Sequence, residues 1–199
     1  MEITASMVKE LREKTGAGIL DCKEALAEAK GDLQEAAGVL RKKGLADAKK
    51  RAGRQTSQGL IGSYIHLTGK IGVLLEINCE TDFVARTDVF KDLVKNIAMH
   101  IAASSPRYLN PESVPAADVE KEKEFLRAQA QESGKPEKVI EKMVEGRFNK
   151  FLAENCLTEQ PYVREPEIAV RQLVEGAILK LGENISIRRF VRYQMGEEG

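Results

Sequence analysis

Few side chains in this chain could do covalent chemistry. Two histidines, His66 and His100, and three cysteines, Cys22, Cys79 and Cys156, are scattered over 199 residues. Nucleophilic catalysis needs a base beside its nucleophile. His66 falls in an alternating, strand-like stretch, and His100 lies beside Met99 and Ile101 in a helical one. Neither has a Cys, Ser or carboxylate partner in a catalytic motif, so both read as structural or surface histidines. The cysteines lack CxxC spacing, which argues against a zinc site or a disulfide framework and for reduced thiols. The glycines of "TGAG" and "GLIG" do not have phosphate-loop spacing, and neither HExxH nor a calcium-loop pattern occurs. Carboxylates are many but spread over helix faces, where solvation is the default. The expectation is a protein that is not an enzyme, with no catalytic residue, no bound metal and no cofactor. A small hydrolase would need a nucleophile–base pair that is not displayed.

A different kind of chemistry is suggested by "ETDFVAR", Glu80 to Arg86. The stretch joins a strand-like run, "GKIGVLLEINC", to a helical one, "TDVFKDLVKNIAMHIA". Thr81 and Asp82 are suited to capping a helix. Phe83 has two readings. It folds back under the following helix as core, in the manner of a hydrophobic staple. Alternatively it is an aromatic anchor on a rigid turn, aimed at a pocket in a partner; such anchors dominate interface energetics. A second candidate is the basic run Arg41, Lys42, Lys43, Lys49, Lys50, Arg51 and Arg54, opposed only by Asp47. It reads either as a solvated helix end with cations at the negative dipole terminus, or as a phosphate-binding patch of a ribosome- or RNA-associated module. No aromatic interleaves those charges.

The bulk numbers narrow the class. Basic and acidic residues balance at 31 each, so no global field argues for nucleic acid or membrane. There is no Trp, and aromatics make up 5%, which leaves little for a base-stacking platform. A hydrophobic fraction of 42% with 31% charged residues is typical of a globular protein with highly charged helix faces. The N-terminus is charged from Glu2 and has no apolar signal region. No segment approaches the roughly 18 apolar residues needed to span a bilayer. A cytoplasmic location is expected.

The elements that must position these residues follow from periodicity. "ITASMVKELREKT" puts Ile3, Met7, Val8 and Leu11 on one helical face; "TGAG" breaks it. "ILDCKEALAEAKG" aligns Ile19, Cys22, Ala25, Leu26 and Ala29. "DLQEAAGVLRKKGLADAKKR" opens with Asp32 and Glu35 at capping-box spacing, followed by Leu33, Ala36, Ala37 and Leu40. A three-helix bundle is expected, with residues 1–54 as one division including a basic linker. The period then changes to two. "GLIGSYIHLTGKIGVLLEINC" reads as a β-hairpin with Ile71, Val73, Leu75, Ile77 and Cys79 on one face. A helix from Thr87 buries Phe90, Leu93, Val94, Ile97, Ala98 and Ile101. Two further helices follow, the second from Pro136, then a turn at "EQPYVREPE" and a helix over "PEIAVRQLVEGAILKLG". The final "NISIRRFVRYQM" alternates, with Ile185, Ile187, Arg189, Val191 and Tyr193 on one side. The simplest architecture is α+β: a small three-stranded antiparallel sheet packed with helices over 55–199.

Three stretches carry a family resemblance. "VKELREKTGAGILDCKEAL", "ETDFVAR" and "GRFNKFLAENCLTEQPYV" closely resemble the elongation factor Ts family, in the family's order, and the likeness runs from Met1 to the last strand. The resemblance implies a guanine nucleotide exchange factor for elongation factor Tu in translation, acting on its GDP-bound and nucleotide-free forms without covalent chemistry. It implies that the first helices are similar to a ubiquitin-associated domain and grip the GTPase domain, with Arg12, Ile19 and Leu20 at the matching positions. It implies that Thr81, Asp82, Phe83 and Val84 form the turn that intrudes beside the Mg²⁺ site of the GTPase, Asp82 not being a lasting metal ligand. Ile19 and Leu20 stand where many members carry two methionines, and Arg86 where lysine also occurs. Longer members have two core subdomains; this chain has one. That implies a homodimer holding two GTPase molecules in a 2:2 complex, with no direct nucleic-acid contact and no membrane.

Overall fold

The computed structural model describes residues 3–197; the outermost positions of the two expected divisions, 1–2 and 198–199, lie outside the described residues. Polar side chains cap the first and third N-terminal helices; the second starts after Gly18 without one. The Thr4 hydroxyl accepts from the Met7 N–H and opens α1 (Ala5–Thr15), which Gly16 closes at φ 68, its N–H donating to the Arg12 carbonyl. A left-handed residue here is why a glycine is needed. α2 spans Ile19–Glu28, and α3 spans Leu33–Arg51. Asp32 Oδ1 accepts from the N–H groups of Gln34 and Glu35, at 2.8 Å each. The expected capping box is only half made, because the Asp32 N–H already donates to the Ala29 carbonyl. Val8, Leu11, Cys22, Ala25, Leu26, Ala36 and Leu40 bury against one another. Ile19, expected on that stripe, is instead half exposed.

The basic run is the end of α3, helical to Arg51, as the solvated helix-end reading expects. Three of its seven cations are paired within the chain. Lys43 Nζ lies 2.6 Å from Asp21 Oδ1 and 2.9 Å from Glu24 Oε2, which pushes its pKa up and staples α2 to α3. Arg51 pairs with Asp47, and Arg54 with Glu80.

β1 (Gln58–Ile65) and β2 (Ile71–Cys79) form the expected hairpin, and after it come α4 (Asp82–Ala85) and α5 (Asp88–Ser104). Thr87 caps α5 through its hydroxyl, which accepts from the Phe90 N–H. Phe90, Leu93, Val94, Ile97, Ala98 and Ile101 all face the main core, against Val73, Leu75, Ile77 and Cys79 of β2. Gly62 permits this approach: a Cβ there would lie 2.3 Å from Val94 Cγ1. α6 (Ala116–Gln131) and α7 (Glu137–Asn155) form a hairpin with its own small cluster of Leu126, Ala130, Ile140 and Val144.

Two corrections concern the last third. "EQPYVREPE" is a two-stranded ribbon, β3 (Pro161–Tyr162) with β4 (Glu165–Ala169), not only a turn. Consequently α8 runs Val170–Leu181 and begins four residues after Pro166; the stretch "PEIA" is strand. Pro166 could itself open a helix; pairing of Ala169 with Pro161 and of Glu165 with Tyr162 keeps this stretch extended instead. The final strand, β5 (Ile185–Gln194), completes an antiparallel sheet of order β1-β2-β5. Its faces do not alternate without interruption. Glu76 pairs with Arg189 but Ile77 pairs with Ile187, so Arg188 is an extra residue. This bulge turns Ile185, Ile187 and Phe190 to the core, and Arg189, Val191 and Tyr193 to the other face. The chain is therefore α+β, with N-terminal helices ahead of a small antiparallel sheet packed with helices on one face.

Candidate partner-binding site

The turn after β2 is built so that neighbouring side chains part. Thr81 is the N-cap of α4, its hydroxyl 3.4 Å from the Val84 N–H. On this single helical turn Val84 and Ala85 point inward and join the main core, while Phe83 is 79% exposed. Phe83 thus belongs to the surface and not to a staple under α5. Val84, grouped with it in the sequence motif, holds the underside of the turn. Asp82 is partly exposed, and its carboxylate pairs with Arg86 Nη2 at 2.8 Å.

The base of this turn is held by residues about a hundred positions away. Glu183 Oε2 accepts from the N–H groups of Glu80 (3.1 Å) and Thr81 (3.0 Å), and Glu183 Oε1 accepts from the Thr81 hydroxyl at 2.6 Å. The Asn184 N–H donates to Glu80 Oε1 at 2.6 Å, and the Asn184 amide donates to the Arg54 carbonyl. Cys79 Sγ donates to the Thr81 carbonyl at 3.1 Å; burial, with the negative charge of Glu183 beside it, pushes this thiol up to about 11. Nothing in the local sequence marked Glu183, which looks like any solvated carboxylate after a helix.

A second surface lies on the N-terminal helices. Ala5, Val8, Lys9, Arg12, Ile19 and Lys23, with Lys180 from α8, line an open groove of about 620 Å³. Arg12 is exposed, and Leu20, 74% exposed, stands beside Ile19 at the start of α2. Glu13 also lines the groove, so its rim carries both signs with the cations in excess.

The remaining candidates take structural places. His100 is fully buried: its Nε2 lies 2.9 Å from Gln160 Oε1, and its Nδ1 accepts from the Val163 N–H at 3.2 Å. An accepting Nδ1 requires the neutral ring with its proton on Nε2, and burial lowers the pKa. Cys22, Cys79 and Cys156 are free and buried, Cys156 also pushed up to about 11 by burial. Among the described residues no group of three His, Cys, Asp or Glu side chains is placed to hold a metal ion. No described helix is long and apolar enough to cross a membrane.

The α+β scaffold thus exposes an aromatic on a clamped turn and, separately, an open groove on the N-terminal helices. The family model described as elongation factor TS matches residues 47–197. Relatives match nearly end to end. The elongation factor Ts of Fervidobacterium nodosum is 60% identical over 197 residues, covering 99% of this chain and 100% of the relative. That of Geobacter sulfurreducens is 58% identical, covering 99% and 91%. That of Thermoanaerobacter sp. is 58% identical, covering 98% and 96%. The chain belongs to the elongation factor Ts family. Membership makes it a translation elongation factor, and the family implies nucleotide exchange on elongation factor Tu.

Proposed function

We propose that the chain is a guanine nucleotide exchange factor that binds GDP-bound elongation factor Tu, perturbs its Mg²⁺ site and releases GDP, acting in the cytoplasm. The observation that carries this reading is Phe83, an exposed aromatic held out from a clamped turn whose other apolar residues are buried. An exchange factor works by differential affinity. If it binds the nucleotide-free GTPase more tightly than the nucleotide-bound form, nucleotide affinity falls by the same factor. Phe83 wedges between elements flanking the metal. Asp82, neutralised by Arg86 in the free chain, perturbs the polar contacts around the displaced ion. Thr81 and Val84 support the wedge. The groove of Arg12 and Ile19, with exposed Leu20 beside it, grips the GTPase domain elsewhere, so the wedge pushes against a fixed support. Residues 1–54 then serve as grip and 55–199 as lever and assembly part.

The assembly is a homodimer carrying two GTPase molecules. One face of the three-stranded sheet is covered by α5; the opposite face presents Ile61, Ile65, Leu74, Val191 and Tyr193, all exposed. Contiguous exposed apolar surface of this kind marks an interface. Glu76 and Arg189 form a 2.7 Å ion pair on the same face. With its charges paired within the chain, the face can meet a second copy across a two-fold axis without opposing unpaired like charges.

The test is release of labelled GDP from purified elongation factor Tu, with and without the chain. Catalytic amounts of the chain should accelerate release, and the chain alone should hydrolyse no GTP. Release that stays at the spontaneous rate at saturating chain concentration ends the proposal.

A further inference from the structure

The Glu183 carboxylate takes up both the N–H and the hydroxyl of Thr81, and we infer that Glu183 is a positioning residue for Phe83. The inference rests on the exchange reading above. Three donors converge on this one side chain: the N–H groups of Glu80 and Thr81 on Oε2, and the Thr81 hydroxyl on Oε1. Because the Thr81 hydroxyl proton is committed to Glu183, its lone pairs face the Val84 N–H and the cap of α4 has one orientation. Cys79 Sγ occupies the Thr81 carbonyl, and the Asn184 N–H holds the Glu80 carboxylate. Every polar group of Thr81 is therefore bonded, and two consecutive residues after α8 hold two consecutive residues before α4.

Phe83 needs such a support. With most of its surface in solvent, it has few contacts of its own to fix it. Its direction is that of the backbone turn beneath it. A wedge that must be ordered on binding loses part of its interaction energy to that ordering; a pre-organised one does not. Val84 and Ala85 already anchor the underside of the turn by burial, so the carboxylate adds orientation to a turn whose apolar side is held by the core. Charge-assisted bonds are the strong kind for this purpose.

The experiment compares Glu183→Ala, Glu183→Gln, Phe83→Ala and the Phe83→Ala/Glu183→Ala double variant in the GDP-release assay. Glu183→Ala is expected to lower the maximal release rate about 10-fold, the size of losing charge-assisted hydrogen bonds, with a rise in half-saturating concentration smaller than that of Phe83→Ala. Glu183→Gln, which keeps one carbonyl oxygen for the two backbone donors but loses the acceptor of the Thr81 hydroxyl, should recover part of the rate. The double variant should be no slower than Phe83→Ala, because both changes remove one function. A slow Phe83→Ala alongside a Glu183→Ala of wild-type rate overturns the positioning role while leaving the exchange reading intact; so does a double variant slowed by the product of the two single effects. Amide hydrogen exchange of the free protein tests the clamp even if no variant, nor the wild type, promotes release. The Val84, Ala85 and Arg86 amides should exchange about 10-fold faster in Glu183→Ala. Unchanged protection there overturns the inference.

Discussion

Phe83 and Val84 are consecutive residues of one helical turn and face opposite environments: Phe83 is 79% exposed and Val84 is 9% exposed. The turn spends its smaller apolar side chain on the core of its own chain and leaves the larger in water. That division separates stability from function at adjacent positions.

Truncating the two should therefore give opposite results. Val84→Ala removes buried carbon and should cost about 2 kcal/mol of stability. Phe83→Ala should leave the melting temperature nearly unchanged and slow GDP release, with partner affinity weakened by roughly 2 kcal/mol, about 30-fold. Urea unfolding and release kinetics of both variants check this. A Phe83→Ala protein that unfolds early but exchanges normally while folded would make Phe83 a residue of its own fold.

The groove on the N-terminal helices should behave as a grip. Leu20→Ala removes an exposed side chain beside the half-exposed Ile19. It should raise the half-saturating concentration of the chain by about 10-fold, from lost interface burial, and leave the maximal rate intact. A titration of release rate against variant concentration separates the two quantities. A fall in maximal rate alone counts against the grip.

For the sheet face, Leu74→Glu places a carboxylate on the exposed row that holds Glu76. Leu74 is half exposed, so the single chain should still fold. The wild type should sediment as two chains at micromolar concentration and the variant as one. A variant that remains paired would move the dimer contact to another surface.

His100 gives the protein a pH-dependent weakness. Burial lowers its pKa from the ordinary 6.5, and its Nδ1 accepts a backbone N–H in the neutral state. In the unfolded chain the ring gains its proton near pH 6.5, whereas the folded ring resists it. Between the lowered folded pKa and 6.5 the unfolded state binds more protons, so stability rises with pH there. The contribution is complete above about pH 6.5 and is lost as pH falls through the folded value. Denaturant unfolding of wild type and His100→Gln from pH 7.5 to 5 should show a steeper decline for the wild type. Parallel curves would place the acid sensitivity elsewhere.

Short-range physics made much of this legible without coordinates. Apolar residues at helical or alternating spacing mark α1, α2, α5 and the β1–β2 hairpin, and Thr81, Asp32 and Thr87 mark where helices begin. The turn after β2 was visible as a place where an aromatic meets capping residues. Which way that aromatic points was not visible, since a staple and an anchor share the same local pattern. The tertiary structure chose, because the space under α5 is already filled by Phe90, Val94 and β2, and because Val84 reaches the core first. The bulge at Arg188 reverses the faces of β5 halfway along, and a strict period of two cannot express it. Pairing across the short ribbon at Pro161–Ala169 likewise depends on partners outside any helical or strand window. Glu183 is the clearest case. It acts through residues 102 and 103 positions earlier, and a contact over such a distance leaves no periodicity to read. Local propensity and burial pattern determine the elements. Only the closing of distant segments on one another decides which carboxylate holds a turn and which phenylalanine is left in water.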